Sequence, residues 1–433
     1  MLNKIRAWWD DLNENYKRLL LTVGFTLLII LLGFLIYYLF FRPRPATLPG
    51  ETPIGTTGTI TPITDIREIL ENQGIPITEE GQIPPTTGVQ LPREEVLPAV
   101  IADGSMTLAE PQVYSGAQNA VIIQTGELNY YNKDDGKFYQ IGDQGNIQAL
   151  STETFPDAQK ITWSPKNTQA IIEFPDGNKI LYDFKEQKQS TLPKEGQDYT
   201  FSPTGDQIGY KFITNNPEEN WLVVSNPTGE QAKAVEHIGS ANPADVLINW
   251  SPDNSKVAMF RKSSALDQEE IVFIGQNGEN YKSLSVAGRG FEALWAPKGS
   301  SLLYNVYNEA SGYRPELYIT NSTDDDMGVH NKSLGLRTWA DKCTFAEDNT
   351  TAYCAVPLYL QQGSGIYPGL AANTADVIYK INIQTGFKQR VAIPTNALGI
   401  GLYTADKLML APGGKTLYMM DKNGGIYKMQ LSK

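Results

Sequence analysis

The chain has 433 residues, 41% hydrophobic and 10% aromatic, which is enough apolar material for a large folded core. Its formal charge is −12, and an acidic body excludes the basic patches that hold nucleic acid. Two histidines and two cysteines leave little scope for a histidine-based triad or a zinc site, and no cofactor is expected.

Charge is placed unevenly: residues 1–45 carry six basic and three acidic side chains, residues 46–110 carry two and ten, and the remainder is net −7. In residues 1–18, Leu2, Ile5, Trp8, Leu12 and Tyr16 recur at three- and four-residue steps, the spacing of one helix face, so a cytoplasmic amphipathic segment is expected. Residues 19–41 hold 23 side chains without a charge, and about 20 suffice to span a bilayer. Tyr37, Tyr38 and Phe40 stand near the end, where interfacial aromatics belong. Arg42-Pro43-Arg44-Pro45 follows instead of a small-x-small cleavage site, which predicts an uncleaved signal anchor. Lys4, Arg6, Lys17 and Arg18 outnumber Arg42 and Arg44, so the expected topology is single-pass in the cell membrane, N-terminus cytoplasmic and the rest outside.

Residues 42–95 are rich in Pro, Thr, Gly and Glu and cannot bury enough apolar surface to offset their ordering entropy. They read as a disordered, fairly extended linker. Within it, residues 64–70 have helical apolar spacing with Gly74 as a stop, a short docking helix or a transient turn.

A ten-residue unit then occurs seven times, beginning at Tyr114, Trp163, Phe201, Trp250, Trp295, Phe345 and Leu410. A large apolar residue ends one strand. Proline follows two positions later in five copies (Pro165, Pro203, Pro252, Pro297, Pro412), presetting φ for a tight turn. Gly or Asn comes four positions after the anchor in six copies (Asn167, Gly205, Asn254, Gly299, Asn349, Gly414), where a left-handed backbone is tolerated. An apolar strand follows, so the unit is a β-hairpin. A third strand comes next in most copies, as in LYDFK from Leu181 and VIYKINIQTG from Val377. Repeats of roughly 40–50 residues with several short strands are a propeller signature. The predicted fold class is therefore all-β: a seven-bladed β-propeller of four-stranded blades over residues 96–433, preceded by one transmembrane helix and the linker. Its last blade ends soon after a third strand, so residues 96–108 are expected to supply the fourth and close the ring.

Trp163-Ser164-Pro165, Phe201-Ser202-Pro203 with Gly205, and Trp250 to Asp253 give a W-S-P-x-G/N unit that resembles the TolB-type, WD-like propeller repeat. The resemblance covers about three quarters of the chain. It implies the architecture and a bias toward protein partners, and fold alone does not set function.

Cys343 and Cys354 stand two before and nine after Phe345, the same two positions as Ile161/Ile172 and Leu408/Met419. Residues so placed face each other across a hairpin, at a separation that suits a disulfide. A Cys343–Cys354 bond is expected if the domain lies outside the cytoplasm, and two buried thiols if it does not. No G-x-S-x-G elbow is present. His237 and His330 read as surface or loop residues, and Asp324-Asp325-Asp326 as a solvated turn rather than a calcium loop.

Links between second and third strands share one face of a propeller. They are read as residues 214–220, 262–270 and 308–315 in blades three to five, and as a long 356–376 in blade six. Long loops carry function more often than short ones. The rim of blades four to six is thus the expected partner surface, with Tyr313, Arg314, Tyr359 and Tyr367 as residue types found at binding hot spots. Two functions remain open: a protein-, peptide- or cell-wall-binding envelope scaffold, or a hydrolase or lyase using carboxylates in the central funnel. An apolar rim patch marks the first, and ionisable groups converging on the funnel with perturbed pKa values mark the second.

Overall fold

The computed structural model describes Leu31 and residues 97–433, except Asp143 and Asn280. The expected amphipathic segment 1–18, the anchor 19–41 (Leu31 apart) and the linker 42–95 lie outside the described residues. Among the described residues no helix is long and apolar enough to cross a membrane. Contacts divide the chain into a unit Met1–Ile63 and a unit Thr64–Lys433, and all the strands belong to the second.

Seven separate sheets follow one another along the chain. Blade one is Ala117–Ile122, Leu128–Asn132, Lys137–Ile141 and Ile147–Ala149. Blade two runs from Lys160–Trp163 to Lys188–Leu192, and blade three from Gly196–Phe201 to Lys233–His237. Blade four runs from Val246–Ile248 to Leu284–Val286, and blade five from Arg289–Trp295 to Lys332–Ser333. Blade six runs from Cys343–Phe345 to Lys388–Thr395. Blade seven has Ala405–Leu410, Thr416–Asp421 and Ile426–Gln430. The first strand of blade two touches those of blades one and three, and that of blade three touches that of blade four. That of blade five touches the turn Ala340–Lys342 leading into blade six, and that of blade seven touches those of blades six and one, so they ring a common axis.

The hairpin chemistry of the repeat accounts for the inner turns. In blades two, three and four the backbone N–H of Asn167, Gly205 and Asn254 donates to the carbonyl of Ser164, Ser202 and Ser251. Those turn residues have φ of 53°, 75° and 63°, and Gly299, Asn349 and Gly414 are likewise left-handed. The buried serine supports the turn a second time. Its Oγ accepts from the backbone N–H five residues on: Gln169, Gln207 and Lys256.

Three expectations need correction. The first hairpin turn is not at Tyr114. Gly126, with φ 99°, donates to Ile123 as Asn167 does to Ser164, so the unit starts at Ile122 and lacks the aromatic residue and proline that mark most of the other copies. Residues 96–108 do not close the ring. Glu110–Val113 does, pairing antiparallel with Ile426–Gln430, while Met106–Leu108 adds a fifth, parallel strand to the outer edge of blade six. Residues 262–270 are not a loose link, because strands Lys256–Ala265 and Gln268–Gly275 extend through them to a tight tip at Leu266 and Asp267.

Cys343 lies directly opposite Cys354, with Cα atoms 4.1 Å apart and a disulfide joining them. Ile161/Ile172, Ala293/Tyr304 and Leu408/Met419 are opposed in the same way, whereas blade four is offset by one residue, so that Leu247 faces Met259.

The serine turns give a direct check. Ser251→Ala leaves the Lys256 N–H buried without that acceptor, and the expected loss is about 1–3 kcal/mol of stability by denaturant unfolding of the full chain.

Candidate functional site

Blades five to seven build one surface from three loops. In blade five, residues 308–315 are held by Ser311, whose Oγ donates to Arg314 O at 2.7 Å and whose N–H donates to Asn308 Oδ1 at 2.9 Å. The blade-six loop, residues 358–375, lies alongside. Gly363 N donates to Gly312 O at 3.0 Å and Gly365 N to Tyr313 O at 2.8 Å. Gly365 permits this approach, since a Cβ there would come within 2.6–2.7 Å of the Tyr307 ring. Beneath, Trp339, Leu360 and Ala371 form a small buried cluster that pins the loop to its blade.

The third loop, residues 396–404, leads into blade seven. Asn396 Oδ1 accepts from Leu398 N and Ile400 N. Asp376 N donates to Tyr403 O, and Thr404 Oγ1 donates to Thr374 O, both at 2.9 Å, which joins this loop to the end of the blade-six loop. Below that seam Lys342 Nζ meets both carboxylate oxygens of Asp376 at 2.7 Å, and Asp376 Oδ2 also accepts from Ala405 N. Burial pushes the Asp376 carboxyl upward, with Lys342 opposing.

The second and third loops present an apolar, uncharged face. Tyr359, Ile366, Tyr367 and Leu370 are exposed in the blade-six loop, and Leu398, Ile400 and Leu402 in the next. Leu398 and Ile400 are 74% and 77% exposed, far more than large aliphatic side chains usually are. No Asp, Glu, Lys or Arg occurs in residues 349–375 or 391–405, although 19% of the chain is charged. Depletion of charge with aromatic and aliphatic exposure is the composition of an interface core.

The four sequence-chosen residues divide. Tyr359 and Tyr367 stand exposed on the face. Tyr313 is half-buried with φ 54°, and Arg314 is turned inward, its Nε donating to Leu360 O at 2.8 Å and its Nη1 to Ser311 O. Arg314 therefore ties the two loops together. Blade four reaches them only at its hairpin tip, where Asp267 accepts from Glu309 N. Ile366, Leu370, Leu398, Ile400 and Leu402 were not chosen from the sequence. Their signal was the absence of charge from two stretches, which loop length alone does not reveal.

A second polar place lies on the axis. Bulges displace the inner strands of blades one, three, five and seven near Asn119, Asp198, Gly290 and Asp406. On the blade-two and blade-three side, Asp198 bridges Lys160 at 3.2 Å and Lys211 at 2.6 Å. On the opposite side, Glu292 and Asp341 are water-accessible although they lie at the innermost strands, so the axial channel admits solvent. Partial enclosure by protein pushes Glu292 up to about 7, the charge of Asp341 adding to this and Arg261 opposing it. Asp341 is also raised, mainly by the same partial enclosure, against the pull of Lys342. Among the described residues no group of three or more His, Cys, Asp or Glu is placed to hold a metal ion. The His237 ring packs tilted against Trp221, centroids 4.6 Å apart, and Asp324 pairs with Lys256 at 2.5 Å.

The fold defines the chain as a seven-bladed β-propeller. No protein-family profile matches it, and no curated protein is similar to it in sequence. Solved structures share the architecture. One is an oligogalacturonate lyase in complex with manganese, at 12% identity and TM-score 0.51, over 74% of this chain and 90% of that one. Another is the Cps50 (Swd1) β-propeller domain of Myceliophteria thermophila, at 11% identity and TM-score 0.50, over 74% and 98%. At these identities the likeness concerns the fold alone.

Glu292 predicts a pH dependence. Its folded-state pKa lies above the ordinary glutamate value of about 4.3, so between these values the folded chain binds the extra proton. Raising the pH from 5 to 8 therefore removes stability. The melting temperature of the full chain should fall across this window, and Glu292→Gln should flatten the slope; equal slopes would remove Glu292 as its source.

Proposed function

We propose that this chain is a membrane-tethered module that holds a propeller outside the cytoplasm and binds a partner protein on the rim of blades five to seven, at the two loops that carry no charge. The rim carries the reading: seven exposed apolar side chains on two loops that are hydrogen-bonded into place before any partner arrives. A preorganised surface spends less entropy on binding. The acidic body disfavours an anionic bilayer as the occupant, since surface insertion relies on flanking basic residues. A cell-wall polymer would need converging polar groups, which residues 396–404 do not supply. The uncharged run 19–41 supports the tether, and the Cys343–Cys354 pair suits an oxidising compartment. The serine-turn repeats support a TolB-type relationship, with envelope scaffolding as the role.

A photo-cross-linking amino acid placed at Tyr367 or Ile400 of the membrane-embedded full chain should give a discrete protein adduct, absent when it is placed at exposed Ile147 on blade one. Alanine at both Tyr359 and Leu398 should cut the adduct about tenfold or more. Adducts with lipid alone, or the same adduct from Ile147, would overturn the reading.

A second reading is supported by Glu292 and Asp341. Two carboxyls near the axis, both with raised pKa and with the charge of Asp341 felt by Glu292, suit general acid–base work, and this would make the channel the site of a hydrolase or lyase. Incubation with a panel of polysaccharides and peptides should then show turnover that Glu292→Gln lowers by about a hundredfold or more. No turnover by the unaltered chain, or no effect of the substitution, removes this reading.

A further inference from the structure

A cavity of about 290 Å³ opens between blades five and six, beside the rim. Its walls are mixed: Leu336, Val356, Leu358 and the ring of Tyr379 give it an apolar side, and Ser311, Glu316 and Arg337 a polar one. Leu358 leads directly into exposed Tyr359, so the cavity is continuous with the rim loop.

One cation lines it. Arg337 is half-buried, and among the described residues it has no hydrogen-bond acceptor and no ion-pair partner. The other arginines of the propeller all have one. Arg261 donates to Ala244 O, Arg289 to Leu266 O, Arg314 to Leu360 O and Arg390 to Gly104 O. The charged neighbour in the cavity, Glu316, makes no ion pair with Arg337; its oxygens accept from Ser333 Oγ and Tyr318 OH. A guanidinium presents several donors in a plane, and an incoming carboxylate satisfies two of them at once.

We infer that this cavity receives the C-terminal residue of a polypeptide, its carboxylate on Arg337 and its apolar side chain against Leu336, Val356 and Tyr379. The inference builds on the protein-binding reading of the rim and gives the partner a chemistry. An internal Asp or Glu carries its carboxylate at the tip of the side chain and leaves the apolar side uncovered. A C-terminal Leu, Ile, Val or Phe places both groups on one residue. The volume lies just below the roughly 300 Å³ at which drug-sized pockets begin, which suits one residue and not a long ligand.

N-acetyl-leucine, N-acetyl-leucine amide and octanoate are the probes, titrated by ligand-observed NMR against the purified full chain. N-acetyl-leucine should bind about tenfold or more tighter than its amide. Arg337→Gln should bring the acid down to the level of the amide, and Arg337→Lys, which keeps the charge without the fork, should fall between. Equal binding of acid and amide, or unchanged acid binding to Arg337→Gln, would overturn the inference. Octanoate binding tighter than N-acetyl-leucine would overturn the peptide terminus in favour of an acyl chain. Aspartate at both Tyr367 and Ile400 alters the rim but not this cavity, and should leave N-acetyl-leucine binding intact. Failure of the rim reading therefore shows in cross-linking, and failure of the pocket shows in the acid–amide comparison.

Discussion

Closure of the ring is the constraint on which the other features rest. A four-stranded blade is too thin to bury both of its faces, so each blade depends on two neighbours. The last blade can be completed only by the start of the domain. Glu110–Val113 pairs with Ile426–Gln430, and Ala117 N donates to Gly424 O across the seam at 3.0 Å. Gly424 has φ 80°, and a Cβ there would meet Ala117 O at 2.7 Å, so the seam needs glycine at that point. Met409, Tyr418 and Ile426 then share a core with Leu128 and Tyr130, and ends of the domain some three hundred residues apart become one hydrophobic unit. Non-local pairing of this kind offers late reward for its loop-closure entropy, which makes the seam the costliest step of assembly.

The same strap stiffens the face proposed to bind. Before closing blade seven, the chain runs along blade six as Met106–Leu108, so the two blades under the apolar rim are linked by one continuous segment. The Lys342–Asp376 pair lies between them, with Asp376 also accepting from Ala405 N. Buried ion pairs add little net stability because desolvation offsets attraction, but an unpaired member is very unfavourable. Such a pair tolerates few alternative positions of blade six against blade seven. The rim loops are therefore mounted on a base whose geometry is over-determined.

How much of this was legible depended on what each feature needs. The hairpin turns were readable because a left-handed residue and a preceding proline are local requirements, met within five positions at Pro165 and Asn167 or at Pro203 and Gly205. Blade one escaped because its turn at Ile122 to Gly126 retains only the glycine, while Tyr114 lies outside any strand. That the first part of the domain completes the last blade followed from counting strands. Which residues do so did not, since Met106–Leu108 and Glu110–Val113 are both short, and only the edges they meet distinguish them. Tyr359 and Tyr367 were selected by residue type and loop length, and both stand exposed. Arg314 was selected on the same grounds, and its carbonyl acceptors on the neighbouring loop give it a mounting role that no sequence pattern encodes. Arg337 was invisible for the opposite reason: its interest lies in a missing acceptor, which appears only once every neighbour is placed.

Charge ties these observations together. A propeller of this acidity should repel its own kind and stay dispersed, and scattering carboxylates over the loops would serve that end. Residues 349–375 and 391–405 instead have no charged side chain, while Asp198 bridges Lys160 and Lys211 near the axis. Leaving Leu398 and Ile400 in water carries an aggregation risk that a single aspartate at either position would reduce. Fold maintenance does not require them, since their side chains are exposed and the loop is positioned by Asn396 and Thr404. The partner contact proposed for this rim accounts for what the propeller's own stability and solubility do not. The neutrality of both loops then sets the kind of contact, one in which shape and apolar area provide the attraction and any charge is met in the cavity of Arg337 instead of on the face itself.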